Sequence, residues 1–227
     1  MSEQLAGSAG PHVFVESLDS IEVSEADMAH LSKSLRMRDG DPLTVSDGQG
    51  RWRSATFASD GLLSATSDIV TVTQPTAPAT VAFSLTKNSK PEWVIQKLTE
   101  LGVSNIVVLR SERTVVRWDD EKVDKARARW NRIIIEAAMQ SHQARLPTIE
   151  GVLDAATWLE SSGAAISHFG GPLLIDVADS VRSVAIGPEG GWSDSEIEIA
   201  SSIVSLGNTV LRAETAAVAA GALLLTQ

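Results

Sequence analysis

Residues 184–196 read VAIGPEGGWSDSE. An apolar run stops at Gly187 and turns through Pro188, Glu189, Gly190 and Gly191. It then reaches Ser193-Asp194-Ser195-Glu196, a match to the S-x-x-E capping box that opens a helix. Phosphate cradles also run from strand through glycine turn to helix. GPEGG, however, fits neither GxxxxGK[ST] nor GxGxxG, and Glu189 stands where a phosphate would be repelled. Two readings stay open. The loop is a tight βα turn, or its glycines let backbone approach a flat ligand, such as an adenine or ribose, at the carboxyl end of a strand.

The same alternation extends in both directions. VAFSLT (81–86) reads as a strand, PEWVIQKLTELG (91–102) as a helix with Pro91 at its first position and Gly102 as its stop, and NIVVLRS (105–111) as a strand. Roughly 120–142 has the spacing of a long amphipathic helix. AAISHF and SVAIG read as strands, a helix follows from about 194, NTVLR (208–212) reads as a strand, and ETAAVAAGALLL (214–225) is a final helix, apolar on nearly every side. Strands alternating with helices predict an α/β fold on a largely parallel sheet over residues 81–227.

Residues 1–72 differ. PHVFVE, PLTVSDGQGRWRSATF and LLSATSDIVTVT are short strand patterns with turn punctuation, which predicts a small β-barrel or sandwich. EADMAHLSKSLRMRDGD, between the first two, reads as a short helix ended by Asp39-Gly40. The uncharged, Pro- and Thr-rich residues 73–80 read as a linker.

Composition narrows the chemistry. The 227 residues contain no cysteine and four histidines without an i, i+4 pair, which excludes disulfides, thiolate metal sites and a thiol nucleophile and leaves no metal expected. No apolar run approaches the roughly 20 residues a bilayer requires, and MSEQLAGSAG lacks the regions of a secretory signal, so a cytoplasmic location is expected. The net charge of −10 argues against a nucleic-acid partner, but it is unevenly spread: residues 81–145 carry 12 basic against 8 acidic side chains. That segment is either a solvated helix face or an electrostatic footprint for RNA.

Taken in order, five segments carry a resemblance: AHLSKSLRMRDGD (29–41), KNSKPEWVIQKLTELGV (87–103), RWNRIIIEAAMQSHQARLP (129–147), IGPEGGW (186–192) and SLGNTVLRAETAA (205–217). Together they resemble the RsmE-type 16S ribosomal RNA methyltransferases of the SPOUT superfamily, which methylate nitrogen 3 of a uridine with S-adenosylmethionine. The resemblance implies a PUA-like β-barrel followed by an α/β domain whose last segment is threaded into a trefoil knot, and an active homodimer. It implies a cofactor pocket of Gly187, Pro188, Glu189, Gly190 and Gly191 from one loop and Leu206, Gly207, Leu211 and Arg212 from another, with Thr215 at the start of the last helix; His168 falls near a third loop. RNA of the small ribosomal subunit would be met by Lys33, Arg36, Arg38, Lys87, Lys90, Arg113, Arg117, Arg127 and Arg145. The chain departs from the family pattern twice. His142-Gln143 stands where Gly-Arg is usual, with Arg145 two residues on, and Phe169 replaces an acidic residue.

Methyl transfer from a sulfonium is an in-line displacement, in which the enzyme mainly positions two partners. The uracil N–H must also be lost, at a cost of about 3 kcal/mol if its pKa lies roughly two units above neutral. Arg212 is the candidate for stabilising the imide anion, Glu136 or Glu214 for the general base, and Gln140 for orienting the uracil carbonyls. Two other readings remain: methylation of a ribose 2′-oxygen, and a non-catalytic ribosome-binding factor.

Overall fold

The computed structural model describes residues 5, 8–87 and 90–226, which group into two units: Met1–Pro75 with Ile135–Leu146, and Thr76–Ile134 with Pro147–Gln227. In the first unit, β1 (His12–Phe14) pairs in parallel with β2 (Pro42–Ser46), which turns at Asp47–Gly50 into antiparallel β3 (Arg51–Thr56). The two-residue strands β4 (Ser64–Ala65) and β5 (Val70–Thr71) both pair with β3. Helix α1 (Glu25–Ala29), capped by the Ser24 hydroxyl accepting from the Asp27 amide, continues through a π-helical turn to Ser34.

Period-two alternation sorts the side chains of β2. Leu43 and Val45 enter an apolar core with Val13, Leu31, Ala55 and Phe57, onto which Met139 also packs. Thr44 and Ser46 face the other way and clasp His12, whose two ring nitrogens each lie 2.9 Å from a hydroxyl. Burial, with the neighbouring His142 ring, lowers the His12 pKa to about 4, so the imidazole is neutral at physiological pH. His142 holds a left-handed backbone (φ 52°) just beyond the long helix, a conformation that glycine adopts more readily.

The second unit is a six-stranded, wholly parallel sheet. Its strands are β6 (Thr80–Ser84), β7 (Asn105–Arg110), β8 (Thr148–Asp154), β9 (Ala165–Ser167), β10 (Ser183–Ile186) and β11 (Ser202–Val204), in the order β11-β9-β10-β6-β7-β8. Connections are made by α2 (Lys90–Leu101), α3 (Asp120–Gln140), α4 (Ala155–Ser162), α5 (Leu174–Val177) and α6 (Asp194–Ile199), and α7 (Ala213–Leu225) ends the described chain. One sheet face packs Ala82, Val107, Leu109, Ile166 and Ala185 against Leu159 of α4 and Trp192. On α7, Ala217, Ala220 and Leu224 are completely buried, and the helix packs on α2, α5, β6 and β10. Gly221 permits this fit, because a Cβ there would lie 2.7 Å from Leu98 Cδ2.

The structure changes one sequence expectation and adds two elements. NTVLR is not a strand: residues 206–212 are irregular, and the strand before them is Ser202–Val204. β8 and α4, unanticipated between Pro147 and Ala164, add the edge strand beside β7 and a helix capped by Asp154. β8 carries little sequence signal because none of its residues is buried and Gly151 interrupts it; the ladder skips that residue, placing Glu150 opposite Val107 and Val152 opposite Val108.

Candidate functional site

Strands β9, β10 and β11 are neighbours, so the three segments that leave their carboxyl ends converge at one end of the sheet. Residues 168–173 follow β9, 187–193 follow β10 and 205–212 follow β11. Together they line a cavity of about 440 Å³, floored by Ile186, Trp192, Ala213 and Ala216.

The loop after β10 owes its shape to two glycines. A Cβ on Gly187 would come within 3.0 Å of the Trp192 indole, so glycine is what lets the loop lie flat on that ring. Gly191 is left-handed (φ 72°) and its amide donates to the Pro188 carbonyl, closing the turn. The indole N–H of Trp192 donates to the Ser167 carbonyl at 3.3 Å, tying this loop to the end of β9. Beyond it the expected capping box forms, with Ser193 and Glu196 satisfying each other's amides. The Glu196 carboxylate, 2% exposed, also accepts the Glu112 amide at 2.9 Å and fixes the turn after β7.

The loop after β11 is pinned to the loop after β9. The Ser205 amide donates to the Pro172 carbonyl, and the Leu174 amide donates to the Ser205 carbonyl. The Ser205 hydroxyl donates to the Gly207 carbonyl at 3.0 Å, where the chain takes φ 142°. Leu211 and Arg212 then lead into α7.

Of the expected pocket residues, Gly187, Pro188, Glu189, Gly191, Leu206, Gly207, Leu211 and Arg212 line the cavity, with His168 and Phe169 from the third loop. Gly190 and Thr215 are not among the lining residues; Gly190 stands beside Arg113, whose guanidinium donates to its carbonyl at 3.4 Å. Trp192, Thr209, Val210, Ala213 and Ala216 also line it and were not singled out. The apolar ones look like ordinary core residues in sequence, and only the sheet order brings them together.

Charge around the cavity is organised by Lys90. Its ammonium lies 3.0 Å from Glu214 at the start of α7 and 3.8 Å from Glu189 on the glycine loop. Burial alone would raise the Glu214 pKa. A backbone amide, Lys90 and the nearby Arg212 outweigh that and hold the carboxyl below its ordinary range, so Glu214 is an anion with little tendency to take a proton. Arg212 itself is exposed. Glu136 and Gln140 are exposed on the last turns of α3 and do not line the cavity.

The basic residues divide in kind. Lys33, Arg36, Arg38, Lys87, Arg113, Arg117 and Arg127 are exposed, Arg127 being paired with Asp124 at 3.3 Å. Lys90 is committed to its two carboxylates. Arg145 is half-buried, its backbone bridged to Gln49 and its guanidinium packed over Gly50. Among the described residues no group of histidine and carboxylate side chains is arranged to hold a metal, and no helix is long and apolar enough to cross a membrane.

A family profile described as the RNA methyltransferase domain matches residues 73–225. The chain belongs to this family. It is 30% identical over 210 residues to ribosomal RNA small subunit methyltransferase E of Mycobacterium bovis, covering 84% of this chain and 80% of that one. Against the enzyme of the same name from Synechocystis it is 31% identical over 218 residues, covering 87% and 70%. Among solved structures, the Neisseria gonorrhoeae ribosomal RNA small subunit methyltransferase E bound to S-adenosylmethionine superposes with a TM-score of 0.80 at 26% identity, covering 95% of this chain and 97% of that one. The cofactor expected from the resemblance is thus the one bound in a structural relative.

Proposed function

We propose that the chain is an S-adenosylmethionine-dependent methyltransferase acting on nitrogen 3 of a uridine in 16S ribosomal RNA of the small subunit. The observation that carries the reading is the cavity at the carboxyl ends of β9, β10 and β11, in a chain of this family. About 440 Å³ is in the range that holds a ligand of the cofactor's size. The apolar floor suits an adenine, and Glu189 supplies a carboxylate for a cationic ligand. Bound there, S-adenosylmethionine supplies an electrophilic methyl group on a sulfonium.

The chain's own residues do the rest. Gly187, Pro188, Gly191, Leu206, Gly207 and Leu211 present backbone to the cofactor, with Gly190 and Thr215 supporting them from just outside the cavity. The exposed Arg212 guanidinium, at the start of α7, stabilises the imide anion once the uracil proton has left. Glu214, held ionised by Lys90, is a weak base, which leaves Glu136 as the candidate proton acceptor and Gln140 as the group that orients the uracil carbonyls. Lys33, Arg36, Arg38, Lys87, Arg113, Arg117, Arg127 and Arg145 contact RNA phosphates. The first unit acts as the PUA-like barrel, the second carries the trefoil knot, and the active form is a cytoplasmic homodimer without a metal. Phe169, 57% exposed, and Val210, 83% exposed, leave an apolar rim at the cavity that suits a partner copy.

Incubating the protein with labelled S-adenosylmethionine and small ribosomal subunits, then identifying the product nucleoside, tests the reading. 3-Methyluridine is the expected product. A 2′-O-methylated nucleoside would replace it with the ribose reading, and no cofactor binding by calorimetry would point to a non-catalytic factor.

A further inference from the structure

The C-terminal unit has a second concavity that shares no lining residue with the cofactor cavity. It measures about 570 Å³ and lies where the first turns of α3 meet the segment between β6 and α2. Lys87, Lys122, Lys125 and Arg129 line it, against the single carboxylate of Glu92. Trp118 lies in its wall, half-buried, stacked at 6.0 Å on the buried Trp130 and carrying the Lys122 ammonium 5.0 Å from its ring centre.

Two polar atoms of this groove lack partners among the described residues. Thr86, 3% exposed, makes no hydrogen bond through Oγ1, and Glu92 Oε2 is buried without a donor, although Glu92 Oε1 lies 3.5 Å from Arg129. Buried polar groups are nearly always satisfied, so a hydroxyl and a carboxylate left open beside an aromatic ring and four cations indicate a ligand with an anion, a flat ring and a donor. Lys125 is paired with the exposed Glu121, a weak contact that a phosphate can replace.

We propose that this groove seats one nucleotide of single-stranded RNA beside the methylated base, and that it selects a base bearing an exocyclic amine. The proposal rests on the RNA substrate argued above. The base takes the place of the Lys122 ammonium on Trp118, and Lys122 moves to the phosphate together with Lys87 and Lys125. Glu92 Oε2 accepts from the amine of cytosine or adenine, and the Thr86 hydroxyl donates to the adjacent ring nitrogen. Uracil presents a carbonyl at that position and meets the carboxylate with like polarity.

The test uses the full chain and short labelled single-stranded oligomers of cytidylate, adenylate and uridylate, with affinity read by fluorescence anisotropy. Cytidylate and adenylate should bind about tenfold more tightly than uridylate. Trp118→Leu, and Lys122→Ala with Lys125→Ala, should each weaken cytidylate binding about fivefold to tenfold, and Glu92→Gln should narrow the preference over uridylate. The exposed lysine pair decides the matter even if Trp118→Leu perturbs Trp130. Wild-type affinity in that pair variant, or a uridylate preference in the unaltered chain, overturns the proposal. Equal competition by polyglutamate assigns the groove to acidic peptides instead. Methyl incorporation into small subunits is measured alongside. Normal turnover with an unchanged KM in the lysine pair variant sinks the groove alone, whereas absence of cofactor binding and methyl transfer in the unaltered chain sinks the functional reading as well.

Discussion

Replacing Lys90 by methionine removes the cation that holds Glu214 and Glu189 together while keeping most of the aliphatic stem. The Glu214 side chain is 15% exposed and that of Lys90 33%, so the pair lies between two limits. Exposed ion pairs contribute at most about 1 kcal/mol, and removing one partner of a fully buried pair costs about 3–5 kcal/mol. With one Glu214 oxygen already buried and unpartnered and Lys90 a third exposed, we expect a loss of about 1–2 kcal/mol at neutral pH. The sign with pH follows from the depressed Glu214 pKa. A carboxyl held lower in the folded than in the unfolded chain gives its full stabilisation above the unfolded value, and loses it as the pH falls through the folded one. Urea unfolding of the unaltered chain, Lys90→Met, Glu214→Gln and the double variant supplies the coupling directly. The coupling should be about 1 kcal/mol or more at neutral pH and should shrink under acid conditions. Additive single substitutions at neutral pH, or a coupling that ignores pH, would refute the assignment of Lys90 as the clamp between the glycine loop and α7.

Gly187→Ala should weaken S-adenosylmethionine binding by calorimetry and cost about 1–3 kcal/mol in unfolding, since the added methyl meets the rigid Trp192 ring. Gly190→Ala, whose Cβ meets only Arg113 at 3.5 Å, should change cofactor affinity little, and a larger loss there than at Gly187 would contradict the cavity as described. Arg212→Ala should fold normally and lower kcat for methyl transfer by roughly a hundredfold or more, with a smaller change in cofactor affinity. Dimerisation through α7 is best tested at its half-buried positions, because Ala220 and Leu224 are fully buried within the subunit and a charge there breaks its own core. Ala219→Glu should lower mass in sedimentation and methyl transfer together, and a fully active monomer of the unaltered chain would refute the dimer.

What the sequence made legible follows from how local each signal is. The box at Ser193 and Glu196, the stop at Gly102 and the all-round apolar α7 are set within a few residues, and each has its structural counterpart. NTVLR reads as a strand from its β-forming residues but has no strand partner, while β11 itself, Ser202–Val204, is only three residues long. The site was legible as separate loops, not as a cavity. Trp192 and Ala216 carry no chemical signature, and their role depends on β9 lying between β10 and β11, an order that local spacing does not encode.

Glu196 ties together pieces of the chain made far apart. Its carboxylate accepts the amide of Glu112, 84 positions earlier, and that of Ser193 beside it. The Glu112 amide is held by a side chain anchored in α6, whereas the Ser193 amide is held by the same carboxylate within its own capping box. Fraying of the head of α6 should therefore expose both amides together, whereas an opening that parts the turn after β7 from α6 should expose only that of Glu112. In a Glu196→Ala chain the two amides would exchange independently, and the turn that carries Arg113 would lose its fixed bearing on the glycine loop.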